Sequence, residues 1–119
     1  MNILKDSGKG FTTILTPDVQ ETTNNFVDVA GGTIDIGDKS IGSIAFVLQN
    51  TDDSNDINWK VLGSIDGTTY VEVQAEATIQ ENANSSYSAT VAVWRYYKVQ
   101  VKATAGGSQG DALLHVIAK

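Results

Sequence analysis

A chain of 119 residues, 41% hydrophobic and 18% charged, has the length and make-up of one globular domain able to bury roughly two-thirds of its unfolded surface. Eight basic against 14 acidic side chains leave a formal charge of −6, and the scattered Lys and Arg form no cationic track of the kind phosphate backbones require, which excludes nucleic acid as a partner. Without cysteine there are no disulfides, thiolate metal centres or cysteine nucleophiles; no apolar run reaches signal-peptide length or the ~20 residues of a membrane-spanning helix, so an unprocessed cytoplasmic product with no membrane partner is expected.

Residues 1–10 mix Lys, Asp, Ser and Gly without periodicity and read as a flexible N-terminal arm, a mobile lead-in unless another surface orders it, ahead of a single domain over 11–119. Phe11 to Leu15 is β-prone and stops at Thr16-Pro17, the only proline, which predicts an edge strand. Polar residues 18–25 predict a surface connection. Phe26–Val29 and Thr33–Ile36 space apolar residues by two on either side of Ala30-Gly31-Gly32 and predict two short strands. Ser43 to Asn50 is apolar on both faces, as a central strand would be.

A polar loop, TDDSNDIN, then leads into a hairpin over Trp59–Ala75. Trp59, Val61, Gly63 and Ile65 share one face, Lys60, Ser64 and Asp66 the other, with Leu62 off the pattern. Asp66-Gly67 makes the turn, and Val71, Val73 and Ala75 resume the alternation. Composition assigns Glu76 to Ser86 to a loop, Tyr87 restarts the strands, and Ser88 to Val93 leads into Trp94–Lys102. There Tyr97, Val99 and Val101 alternate with Tyr96, Lys98, Gln100 and Lys102. After a glycine-rich turn, Asp111 to Ala118 sets Ala112, Leu114 and Val116 opposite Leu113, His115 and Ile117, apolar on both sides. Eight or nine short strands without a helix predict an all-β, antiparallel β-sandwich of jelly-roll or immunoglobulin-like type, with a small barrel as the alternative.

Candidate sites are few. Asp52, Ser54, Asp56 and Asn58 place oxygens at alternating positions, a pattern for calcium, yet Ile57 and Gly63 stand where an EF-hand needs glycine and glutamate. A non-EF calcium loop or a plain solvated turn remains. His115 has Asp111 on its strand face but no nucleophile at a useful spacing. Glu72 with Asp66 or Glu76 has the residue types for glycoside hydrolysis, but solvated acidic side chains that aid solubility explain them more simply. Tyr70, Tyr96 and Trp94 project around the sheet, where rings stack on sugars or fill protein interfaces. With Phe11, Leu113, His115 and Ile117 they form the candidate interface. No catalytic or cofactor-binding set is expected beyond the calcium option.

The segments GSIDGTTYVEV (63–73) and WRYYKVQVKATAGGSQG (94–110) resemble small β-sandwich proteins among phage structural genes, of head-decoration and tail-accessory type. The same S-x-D-G-x-x-Y and R-Y-Y-K-V-x-V patterns, carried by Ser64, Asp66, Gly67, Tyr70, Arg95, Tyr97 and Val99, recur in sugar-binding and adhesive sandwiches, so they specify topology and transfer no site residue. The resemblance implies a non-enzymatic virion protein, assembled in the host cytoplasm as a symmetric homo-oligomer. It would decorate a capsid or tail protein, with residues 1–10 as a docking arm. The alternative is a carbohydrate-binding or receptor-binding module built on exposed rings.

Overall fold

The structure, a computed structural model, describes residues 2–3, 5–6, 12–13, 19–23, 25–29, 33–36, 42–89, 93–104 and 111–118. Among them are twelve strands: β1 (Asn2–Ile3), β2 (Lys5–Asp6), β3 (Thr12–Thr13), β4 (Val19–Glu21), β5 (Val27–Asp28), β6 (Ile34–Asp35), β7 (Ile44–Asn50), β8 (Ile57–Ser64), β9 (Val71–Ile79), β10 (Asn84–Ala89), β11 (Tyr96–Ala103) and β12 (Asp111–Ala118). The first sheet runs β1-β6-β11-β8-β9 with β5 also on β11, and the second runs β10-β7-β12-β3-β2 with β4 also on β12. Every pairing is antiparallel except β1 with β6. The fold is an open β-sandwich, with no helix among the described residues.

Period-two alternation builds the core between the sheets. Tyr97, Val99, Val101 and Ala103 of β11 point inward with Ile57, Trp59 and Val61 of β8. They meet Ile44, Phe46 and Leu48 of β7 and Ala112, Leu114 and Val116 of β12, all buried. Phe46 joins the layers, its ring centroid 5.5 Å from that of Tyr97 and 6.1 Å from that of Tyr87. Burying each of the Val, Leu, Ile and Phe side chains of this core contributes about 1.5–3 kcal/mol.

Several expectations are corrected, most for one reason: edges and bulges break simple alternation. Glu76 to Ser86 is not a loop, because β9 continues to Ile79 and β10 begins at Asn84, leaving only a tight turn in which Asn82 takes a positive φ of 55°. As the edge strand of its sheet, β9 is solvated on its outer face and free edge, and it therefore has the polar composition of a loop. Register shifts between Trp59 and Val61, and between Val61 and Leu62, reset the β8 pattern. Leu62, off the alternation, is buried at 7% exposure, and so is Ser64, whereas Val71 is 45% exposed instead of supplying core. Ile65 is no longer on the Trp59 face but sits in the turn at 74% exposure.

At the other edge, β3 is not an edge strand: it lies between β12 and β2. Val19–Glu21, expected as a connection, pairs with Asp111–Leu113. The two short strands expected around residues 26–36 are present as β5 and β6, and both lie antiparallel along β11. Within the N-terminal ten residues, Asn2–Ile3 pairs with Ile34–Asp35 in the first sheet and Lys5–Asp6 with Thr12–Thr13 in the second. Phe11 lies outside the described residues, as do the side chains of β1–β4 and of Ile117.

Candidate binding surfaces

The outer face of the first sheet is a lattice of paired charges and capped rings. The β11 side chains that alternate with the core each find a partner across the strands: Lys98 Nζ lies 3.7 Å from Asp28, Lys102 Nζ 3.7 Å from Glu76, and Gln100 Nε2 donates to Asp28 Oδ1 at 2.8 Å. Lys60 Nζ on β8 reaches Glu72 at 3.5 Å, and Arg95 Nε donates to Asp35 at 3.3 Å. The same cations cover the rings. Lys60 and Lys102 lie 4.2 and 5.0 Å from the Phe26 centroid, Lys98 4.3 Å from that of Tyr70, and Arg95 5.1 Å from that of Tyr96. The Tyr70 hydroxyl shares a 2.9 Å hydrogen bond with Thr33 Oγ1. A sugar stacking on a covered ring face would first have to displace a cation.

The outer face of the second sheet is of opposite character. Cross-strand register aligns Asn84, Gln49 and Leu113 in one row and Ser86, Val47 and His115 in the next, with Ser88, Ala45 and position 117 in a third. These rows contain no Asp, Glu, Lys or Arg. Val47 and His115 are exposed, while Ala45, Gln49 and Leu113 are half-buried.

The hairpin tip is held by its own side chains. Asp66 Oδ1 accepts the backbone N–H groups of Thr68 and Thr69 at 2.8 Å each and the Ser64 hydroxyl at 2.9 Å. Ser64 Oγ in turn accepts the N–H groups of Asp66 and Gly67. The donors, first those of Thr69 and Thr68 and then Ser64, hold the Asp66 carboxyl at about 2. Gly67 needs its freedom at φ +79°, where a Cβ would sit 3.3 Å from the Tyr96 ring; a Cβ on Gly63 would meet the Trp94 indole at 2.6 Å. Burial pushes up the pKa of the Tyr97 hydroxyl, whose ring packs against Phe46. The S-x-D-G-x-x-Y and R-Y-Y-K patterns are therefore a turn and its two aromatic braces.

The acidic loop is organised by Asn50, a buried residue that composition alone does not mark out. Its Nδ2 donates to the carbonyls of Asn55, Ile79 and Gln80, and its Oδ1 accepts the Asp52 N–H at 3.0 Å. Asp52 Oδ1 takes the N–H groups of Ser54 and Asn55, and Asp56 Oδ1 takes that of Glu81 at 3.0 Å. Asn58 belongs to the first sheet's outer face: it donates to Glu76 and accepts the Thr78 and Thr104 hydroxyls. Among the described residues no three His, Cys, Asp or Glu side chains are grouped to hold a metal.

The sequence-derived interface residues are divided between surfaces. Tyr70 and Tyr96 flank the charged face, Trp94 packs on Gly63 and against the core, and Leu113 and His115 lie on the uncharged face. Asp66, Glu72 and Glu76 are engaged separately, with the turn, Lys60 and Lys102. Phe26 and Asp28, which anchor the charged lattice, were legible only as strand residues.

No family model matches the chain, and no curated protein matches it in sequence. Solved structures of similar fold do exist. The PBSX exported protein XepA superposes with a TM-score of 0.63 at 12% identity over 93% of this chain, which spans 37% of that protein. The Yersinia pseudotuberculosis-derived mitogen gives 0.58 at 12% identity, covering 85% of this chain and 82% of that one. A subunit of the disulfide-linked pili of Bacillus endospore appendages gives 0.54 at 9% identity, covering 100% and 90%. At these identities the likeness is one of fold: the class defined is the β-sandwich.

Proposed function

We propose that this chain is a non-enzymatic assembly protein that seats the uncharged outer face of its second sheet on a protein surface, and that its role is to decorate and stabilise a phage capsid. The observation that carries this reading is the set of charge-free rows across β10, β7 and β12. Burying Val47, Ala45 and Leu113 there removes apolar area from water at about 25 cal/mol per Å² without desolvating an ion. A protein that binds the assembled shell and not its dispersed subunits stabilises the shell by mass action. Copies arranged on the shell's symmetry would multiply that effect. The fold likeness to a subunit of endospore pili fits a sandwich used for assembly.

Purified protein incubated with undecorated particles is expected to co-sediment with them and raise their thermal and osmotic resistance. Val47→Lys and Leu113→Lys should abolish both effects while leaving the fold intact. Absence of binding by the parent chain sinks the proposal. A second reading, a carbohydrate- or receptor-binding module, is favoured by the Phe26, Tyr70 and Tyr96 rings on the first sheet; signal on a glycan array, lost in Tyr70→Ala, would move the function to that face.

A further inference from the structure

The chain contains one Asp-Gly pair, Asp66-Gly67, and no Asn-Gly pair. Among aspartyl links Asp-Gly is the one most open to isomerisation, because glycine's unhindered amide nitrogen readily reaches the preceding side-chain carboxyl. The nitrogen lone pair of Gly67 bonds to Asp66 Cγ, the amide proton passes to solvent, and one carboxyl oxygen leaves as water, closing a five-membered imide. Water then reopens the ring. Attack at Cγ restores aspartate, while attack at the main-chain carbonyl leaves isoaspartate, with the chain routed through the side chain and its mass unchanged.

Ring closure makes two demands: the Gly67 nitrogen must be free to lose its proton and swing towards Cγ, and the carboxyl must shed an oxygen, which it does more readily as the acid than as the anion. The folded turn denies both. Gly67 N–H donates to Ser64 Oγ at 3.0 Å, and the hydroxyl of that same Ser64 donates to Asp66 Oδ1 at 2.9 Å. Oδ1 is further fixed by the N–H groups of Thr68 and Thr69. Ser64 is buried, and the Tyr96 ring closes over Gly67 on the side where a Cβ would stand. The three donors also keep the carboxyl ionised, at about 2.

We infer that Asp66-Gly67 is a latent isoaspartyl modification site that folding keeps closed, with Ser64 as its guard: one hydroxyl occupies the nucleophilic N–H and tethers the electrophilic carboxylate. Isomerisation would insert a carbon into the backbone at the tip of the hairpin, remove the Asp66 clamp and lift Gly67 from Tyr96. Isoaspartate at this bond would therefore accumulate with the total time the chain spends unfolded.

The test incubates the full chain at neutral pH and physiological temperature, native and in urea, then separates the Asp66 and isoaspartyl peptides after digestion. The native chain is expected to convert at least about tenfold more slowly than the unfolded one, the rate factor that corresponds to ~1.4 kcal/mol of barrier. Ser64→Ala, shown to be folded by its near-ultraviolet circular dichroism, should convert several-fold faster than the parent. Should Ser64→Ala not fold, Asp66→Asn keeps the inference falsifiable: its side-chain oxygen accepts the same N–H groups, its loss of ammonia is read directly by mass, and the native chain must again be the slower. Equal rates in native and unfolded chains, or in parent and folded Ser64→Ala, overturn the inference.

Discussion

The two outer faces of this sandwich arise from the same alternating strand pattern and finish chemically opposed. On the first sheet Lys60 and Lys98 answer a carboxylate on a neighbouring strand and Lys102 reaches past β8 to Glu76 on β9, and they lie over Phe26 and Tyr70 as well. The corresponding rows of the second sheet hold Asn, Ser, Gln, Ala, Val, Leu and His. A face whose charges are already paired is complete in water, and a partner must disturb those pairs or desolvate them. The uncharged face offers no such resistance. On the function proposed above, solubility falls to one side of the molecule and contact to the other.

The most severe way to break the comparison is to remove what both faces stand on. Phe46→Ala, at a fully buried ring packed between Tyr97 and Tyr87, should cost about 3–5 kcal/mol in urea denaturation and disorganise both sheets together. Gly63→Ala forces a methyl to within 2.6 Å of the Trp94 indole and should cost about 1–3 kcal/mol, with a change in tryptophan fluorescence. Val47→Lys should leave stability within about 0.5 kcal/mol, as surface changes do, yet eliminate particle binding. If Val47→Lys binds normally and Lys98→Ala does not, the assignment of the faces is reversed.

Much of this was readable in the sequence, and the failures share a physical origin. β7, β11 and β12 keep strict alternation because each has neighbours on both sides; on β11 the spacing alone set Val99 inward, whereas β7 and β12 read as apolar on both faces, and only the packing shows that Phe46 and Leu114 face the core. β9 has a neighbour on one side only and meets β8 through register shifts; its polarity imitated a loop, and its Val71 looked buried when it is not. The Ser64, Asp66 and Gly67 pattern was legible as a turn, but the orientation of Tyr96 over Gly67 depends on β11 lying beside β8, a long-range pairing that local spacing does not encode. Asn50 escaped notice because an asparagine at a strand end looks like any other turn residue until the carbonyls of Ile79 and Gln80 are brought to it by tertiary pairing.

Smaller effects sharpen the contrast. Lys98→Met removes the ion pair to Asp28 and the cation over Tyr70, both partly exposed, and should cost no more than about 1–2 kcal/mol, with the loss shrinking in high salt. Particle binding through the second face should be indifferent to that substitution, which separates the two faces in a single variant.

The smallest effect expected at neutral pH is electrostatic and sits at the hairpin tip. Asp66 titrates at about 2 in the folded chain against 3.8 for an unperturbed aspartate, because its N–H donors favour the anion. A carboxyl with a depressed folded value binds fewer protons in the native than in the unfolded state across that interval. Its contribution is therefore fully present above pH 3.8 and declines as pH falls towards about 2. Asp66→Asn keeps the acceptor and removes the titration, so its stability relative to the parent should be constant from neutral pH down to about pH 4 and should improve below it. Thermal unfolding followed from pH 7 to pH 2 reads this directly, and a difference between the two chains that stays level through the acid range would mean that the turn does not hold Asp66 as an anion.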